Sequence, residues 1–401
     1  MVINYFEGEK IRIKSKPNKA GLIVTEEEIN NKYLQGKVRI VTEQARYPLN
    51  SILQLLKNGD YNLHPEFQRR RRWNRVKQSQ LIESFIMNVP IPPIFLYEQD
   101  LAKYEVMDGL QRLTAISEFY QDKYKLEGLE FWPELNGYKY SALPKSVKQG
   151  IDRRYLSSII LLHETAEDED DAKRMKQLVF DRINSGGAKL EYQESRNALY
   201  HGDFVIMAEK LARDDIFCSI FDIPCVTDGE LQTGEISEDL AENQMYQKMD
   251  DVEMVIRFFA MRYVESYEGL SLKEFFDKFT EQGNLLPSTV LKEYEKIFLE
   301  TIRLAYSIYG NDTFCLWKQY SKNKEWYLSK QPAKVLYDPI MYVLSQKLDH
   351  GARLVQNKDE IIKETEQVVK EMNEIFNGRK TTKYDIIKRI DIFERIFNKY
   401  L

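Results

Sequence analysis

Apolar and polar positions follow two regimes along the chain. Between Pro48 and about His201, short β-rich runs (Ile94–Tyr97, Tyr104–Met107, Ser157–Leu162) predict strands. They are interleaved with stretches of three- and four-residue apolar spacing that predict helices: Leu53–Leu56, Gln78–Met87, Leu110–Tyr120 and Ala172–Ile183. This interleaving predicts an α/β or α+β domain. After residue 203 the strand signals fade, and helical spacing recurs over Val252–Tyr267, Leu272–Phe279, Thr289–Tyr309, Lys334–Leu348, Asp359–Phe376 and Asp385–Tyr400. The expected organisation is a polar extension with a strand or two at 1–46, a mixed domain at 47–203 and a mostly α-helical domain at 204–401. The acidic stretches Glu164–Asp171 and Asp228–Glu242 read as exposed loops.

Composition narrows the class. Hydrophobic residues make up 43% and charged residues 30% of 401, enough for a sizeable core and against disorder as the main state. The net charge of -5 excludes a uniformly basic coat but leaves room for a local basic patch. The three cysteines form no CxxC pair, which predicts a reducing compartment without disulfides. The four histidines lie too far apart in sequence for a local zinc motif, and no residue stands out as a metal ligand. The N-terminus lacks an apolar segment, and Phe85–Tyr97 is short and broken by three prolines, so the expectation is a cytoplasmic protein with no membrane partner. The 25 tyrosines predict packing between helices, with stacking on nucleic acid as the alternative.

The first chemical constellation is Val106-Met107-Asp108-Gly109-Leu110-Gln111-Arg112-Leu113-Thr114, where a β-run meets a turn and a new helix. The glycine permits positive φ or a close backbone approach, and the helix start favours anions. Gln111 and Arg112 in the first turn can grip phosphate, and Asp108 can orient a sugar hydroxyl, hold a metal or act on water. The plainer alternative is that Asp108 caps the helix and Arg112 is a surface charge.

A second constellation runs from His64 to Lys77, with six Lys/Arg (Arg69, Arg70, Arg71, Arg72, Arg75, Lys77) against Glu66, a local charge of +5 beside Trp73. Arginines next to an aromatic ring suit phosphate contact with stacking; a solvated basic turn is the alternative. The third, Phe180-Asp181-Arg182-Ile183-Asn184-Ser185-Gly186-Gly187 with Glu194, Arg196 and Asn197 beyond it, offers a permissive turn. That turn suits either close phosphate approach or a helix C-cap. The proline-rich Val89–Leu96 is scaffold that sets up an extended strand.

In order, PEFQRRRRW, QSQLIESFIMNVPIPPIFL, DGLQRLT and FDRINSGGAKLEYQESRNAL resemble the ParB/sulfiredoxin-like family filed as domain of unknown function 262. That family also forms the N-terminal half of GmrSD-type modification-dependent restriction enzymes. The resemblance covers roughly residues 45–200. It implies an α+β fold: a small mixed sheet with helices around a nucleotide-sized pocket, here followed by a mostly helical domain. The family's Asp-Gly-Gln-Gln-Arg loop is associated with binding and hydrolysis of nucleoside triphosphate, and the family works in phage defence and recognition of modified DNA.

Carried over, the resemblance marks Asp108, Gln111 and Arg112 as catalytic, and Gly109, Arg69, Arg182, Asn184, Gly186 and Gly187 as nucleotide- or phosphate-binding. Glu194 and Asn197 also fall in its last motif, and Arg70, Arg71, Arg72, Trp73, Arg75 and Lys77 are the expected DNA contacts. Leu110 departs from the pattern, standing where the family usually has Gln. A C-terminal HNH-type nuclease would need closely placed histidines, and residues 203–401 hold only His350.

Three readings follow. The first is a DNA-acting defence protein that hydrolyses nucleoside triphosphate with Mg²⁺ and recognises modified double-stranded phage DNA, with a nuclease recruited as partner. The second is a DNA glycosylase that excises modified bases, such as glucosylated ones, and leaves abasic sites without any cofactor. The third is a non-catalytic sensor or adaptor that binds DNA or nucleotide.

Overall fold

The computed structural model describes residues 5–13, 25–34, 40–62, 73–162, 175–176, 178–180, 182–183, 193, 196, 200, 202–227, 230, 236–267, 269–320, 325–378 and 382–401. The chain is mixed α+β and divides into two units, Lys19–Leu190 and Met1–Asn18 with Glu191–Leu401.

The first unit carries a five-stranded mixed sheet. In chain order its elements are α1 (Glu26–Leu34), β1 (Thr42–Pro48), α2 (Leu49–Lys57), β2 (Tyr61–Asn62), α3 (Arg75–Met87), β3 (Ile94–Asp100), β4 (Lys103–Asp108), α4 (Leu110–Tyr120), α5 (Lys145–Asp152) and β5 (Tyr155–Leu161). The strand order is β1-β5-β3-β4-β2. β3 lies parallel to β5, and antiparallel to β4 in a hairpin whose register shifts between Phe95 and Leu96. Leu49, Ile52, Ile82, Ile94, Leu96, Ile116 and Phe119 form its core, each at most 1% exposed. Alternation of side chains along β3 and the helical spacing of α3 and α4 bring these positions to one interior.

Buried polar groups fix the connecting segments. The Glu83 carboxylate, on α3 and 3% exposed, accepts the backbone N–H groups of Phe131 at 2.8 Å and Trp132 at 2.9 Å. Asn74 caps α3, its Oδ1 accepting Lys77 N at 2.9 Å, and Asn88 ends it in the left-handed conformation.

The second unit is mostly helical. Its main elements are α6 (Asp203–Leu211), α7 (Asp215–Phe221), α8 (Asp250–Met261), α9 (Leu272–Gly283), α10 (Ser288–Tyr309), β6 (Cys315–Gln319), β7 (Trp326–Pro332), α11 (Lys334–Leu344), α12 (Lys358–Glu371) and α13 (Lys383–Asn398). Aromatic rings pack between the helices. Phe259 stacks on Tyr294 at 4.5 Å, and Phe204 meets Phe259 and Phe279 edge-on.

Four features depart from the sequence pattern. Residues 5–13 are no loose extension: Phe6, Ile11 and Ile13 pack on the helical core, and the Glu9 carboxylate accepts the hydroxyls of Tyr263 and Tyr294 at 2.7 Å each. Long-range pairing supplies this order, which local composition does not show. The unit boundary falls after Leu190 instead of at 203, because Arg196 is buried against Asp277 of α9. Within the mostly α-helical domain, β6 and β7 form an antiparallel hairpin that the fading strand signals do not mark. Both strands are short and half polar, so their pairing depends on meeting each other rather than on a local period. Within the expected loop Asp228–Glu242, a short helix spans Glu238–Glu242, capped by Ser237 Oγ on Leu240 N at 3.2 Å. Glu164–Asp171 lies outside the described residues. Among the described residues, no helix is long and apolar enough to cross a membrane.

Candidate functional site

The junction between β4 and α4 assembles the clearest cluster of polar side chains in the sheet unit. Asp108 ends β4 and Gly109 turns the chain with φ +101°. Only glycine adopts that conformation at low cost. A Cβ on Gly109 would collide with Ile94 Cγ2 and lie 2.9 Å from Ile94 Cβ, so the turn is pressed directly against β3. Helix α4 starts at Leu110, and its N-cap, Gly109, provides no side-chain cap.

Asp108 therefore does not cap the helix. Its Oδ2 accepts Arg112 Nη2 at 2.9 Å, and the same nitrogen donates to the Pro93 carbonyl at 3.2 Å. Arg112 is not a free surface charge either; its side chain is 14% exposed and that of Asp108 30%. Arg112 Nε is buried and has no hydrogen-bond partner among the described residues. Gln111 turns toward Trp73, whose backbone N–H donates to Gln111 Oε1 at 3.1 Å. The first chemical constellation and the edge of the basic run thus meet in space. A guanidinium with a donor to spare, beside a carboxylate at a helix start, is suited to receive an anion and to handle a water proton.

Residues 50–201 match the family model described as the GmrSD restriction endonuclease, N-terminal domain. The chain carries a GmrSD N-terminal-like domain. No curated protein and no solved structure matches the chain. The domain points to a restriction-type role in phage defence and to DNA as substrate or partner.

Within the GmrSD-type domain, the other expected site residues are distributed unevenly. Trp73 is half-buried, with Lys77 Nζ 5.1 Å from its ring centroid. Arg75 is held by Glu118 Oε2 and Gln78 Oε1, each at 2.8 Å, and lies over the Tyr124 ring. Its charge thus links α3 to α4. Arg182 is exposed. Arg69, Arg70, Arg71, Arg72, Asn184, Gly186, Gly187, Glu194 and Asn197 lie outside the described residues. Leu110, at the position where the family pattern has Gln, is a half-buried first residue of α4.

One participant in the site, and one buried ion pair elsewhere on β4, escape a reading of motifs. The Pro93 carbonyl, part of the segment read as scaffold, accepts from Arg112; a backbone oxygen leaves no mark in the sequence. Glu105, 4% exposed on β4, accepts Lys176 Nζ at 2.7 and 2.6 Å. A signal did exist for Glu105: it shares the inward phase of β4 with buried Met107, and a carboxylate in that phase demands a cation.

Proposed function

We propose that the chain is a DNA-acting defence protein that binds and hydrolyses nucleoside triphosphate at the Asp108–Arg112 junction and recognises modified DNA. The observation that carries this reading is the ion pair itself, built on a glycine turn at a helix start, with Arg112 Nε still unpartnered among the described residues.

In this reading Arg112 and the first turn of α4 hold phosphate oxygens and neutralise the charge that develops on them. Asp108 orients a water and accepts its proton as the water oxygen bonds to the terminal phosphorus. The bond to the bridging oxygen breaks and nucleoside diphosphate leaves. Mg²⁺ bound with the triphosphate would supply further charge neutralisation, and Asp108 Oδ1 is the carboxylate oxygen not used by Arg112. The basic run Arg69–Arg72 with Lys77 would follow the DNA backbone.

The test is phosphate release from nucleoside triphosphate and Mg²⁺, with and without DNA. Release stimulated by DNA and lost in Asp108→Asn and Arg112→Ala is expected. Alkali-labile abasic sites formed in modified DNA, in EDTA and without nucleotide, would move the same residues to base excision. Binding with neither product would leave a sensor.

A further inference from the structure

Beside the Asp108–Arg112 junction the sheet has a face that its core does not use. Along β3 and β5, Ile94, Leu96, Leu156 and Ile160 are buried in the core. The alternating Phe95 and Ile159 therefore sit on the opposite face, and both are half-buried. Strand pairing carries this face across the sheet: Gln44 is registered with Ile159, Ile159 with Phe95, and Phe95 with Asp108. One row thus runs through β1, β5, β3 and β4 and ends on the carboxylate of the candidate site. It crosses three strand spacings, roughly 14 Å.

The rows on either side bound it. On one side Arg46 is registered with Ser157. Ser157 comes beside Pro93, one residue before the registered pair Ile94–Ser158, and the Pro93 carbonyl is the one that takes Arg112. On the other side the face is closed. Leu161 is registered with Tyr97 and Tyr97 with Glu105, and each is at most 9% exposed. Lys176 Nζ bonds Glu105 there and lies 5.5 Å from the Tyr97 ring centroid.

The open part is a strip with different chemistry at each end. Asp108 and Arg112 hold the β4 end. Phe95 and Ile159 make an apolar floor, and exposed Gln44 and Arg46 stand at the β1 edge. The side chains of Gln44 and Arg46 make no hydrogen bond or ion pair among the described residues. Phosphate oxygens need only Arg112 and the first turn of α4. A half-exposed ring beside a β-branched side chain, with an amide and a guanidinium beyond it, offers more: a stacking surface and hydrogen bonds for the edge of a base.

We propose that Phe95 and Ile159 form the floor for the base of the nucleoside triphosphate held at Asp108–Arg112, and that Gln44 and Arg46 contact the edge of that base. The inference rests on the nucleotide reading of the junction and adds the residues that decide which base is accepted. Gln44 and Arg46 lie outside the matched span 50–201, so the family pattern does not mark them.

The experiment is titration calorimetry of the full chain with the β,γ-methylene analogues of ATP, GTP, CTP and UTP, which resist hydrolysis. Methylenediphosphonate serves as the probe without a base. At least one analogue should bind about tenfold or more tightly than methylenediphosphonate. Gln44→Ala and Arg46→Ala change exposed side chains on an edge strand and should keep the wild-type circular-dichroism spectrum. These two and Phe95→Leu should each weaken the preferred analogue by about three- to tenfold and leave methylenediphosphonate unchanged. Gln44→Ala and Arg46→Ala should also narrow the spread among the four analogues. The proposal falls if no analogue binds more tightly than methylenediphosphonate, or if the folded variants bind every analogue as the wild type does. It also falls if they lose methylenediphosphonate and the analogues in equal measure. The expected pattern in a protein that releases no phosphate from nucleoside triphosphate would support the base site and overturn hydrolysis. Phosphate release with insensitive variants would do the reverse.

Discussion

Arg112 Nη2 lies 2.9 Å from Asp108 Oδ2, although Asp108 closes strand β4 and Arg112 is the third residue of helix α4. The same guanidinium reaches the Pro93 carbonyl just before β3, so one side chain ties two strands to a helix at the glycine turn. Charge and architecture are therefore coupled at this point.

That coupling separates two substitutions. Asp108→Asn keeps the shape of the carboxylate and removes its charge, so activity should be lost while stability falls by about 1–2 kcal/mol for a half-enclosed pair. Arg112→Ala also frees the Pro93 carbonyl and should cost about as much or slightly more. Denaturant unfolding alongside phosphate release checks both. A fully unfolded Asp108→Asn protein would mean the pair is structural first.

Gly109→Ala should be worse than its size suggests. A positive φ on a side-chain-bearing residue costs about 1–3 kcal/mol, and the new Cβ meets Ile94 as well. Combining it with Ile94→Ala should give less destabilisation than the sum of the two single changes, since the cavity at Ile94 accepts the added methyl. Full additivity in thermal melts would show that the contact with Ile94 is not what fixes the turn.

Glu83→Ala removes the acceptor that holds the backbone at Phe131 and Trp132. Two part-buried N–H donors lose their partner, which should destabilise the sheet unit by about 1–3 kcal/mol. Limited proteolysis should then cut near residues 130–132 at protease concentrations that spare the wild type.

Glu253 predicts a pH dependence for the helical unit. Burial by itself would raise its carboxyl, but Lys334, Arg196 and Arg257 outweigh burial and hold it below the ordinary 4.5. A carboxyl with a lowered folded-state value stabilises the fold above its ordinary value, and loses that stabilisation as pH falls through the folded value. Glu253→Gln should therefore be less stable than the wild type at neutral pH, and the gap should close below about pH 4.5. Urea titrations at stepped pH measure it; a gap that widens in acid would reverse the assignment.

Replacing Arg70 and Arg71 with Ala should weaken DNA binding and reduce the slope of log affinity against log salt by about 2, since each phosphate left without its cation keeps its own counterion. Filter binding over a salt series reads the slope directly. No change in slope would remove the basic run from the DNA interface.

Much of the sheet unit was legible in advance because its signals are local. The strands Ile94–Asp100, Lys103–Asp108 and Tyr155–Leu161 sit where β-rich runs predict them, and α4 begins at Leu110 as the Asp-Gly turn implies. The motifs also named the family that the comparison with known domains supports. The β6–β7 hairpin was not legible, because neither strand carries a period that outweighs the helical patterns around it. Nor was the ordering of residues 5–13, since Glu9 finds Tyr263 and Tyr294 more than 250 positions away.

The amino-acid order alone determined the strand–turn–helix junction, because a β-rich run, an Asp-Gly turn and a helical spacing are each local signals, whereas the pairing of Asp108 with Arg112 was decided by the folded chain. Only the tertiary structure decided that Arg196 would face Asp277, 81 positions on, and that cations from α8, α9, β6, α11 and α13 would line one cavity. Such pairings depend on which helices pack together. Packing is settled by the summed burial of many apolar side chains and leaves no signature at the charged positions it brings into contact.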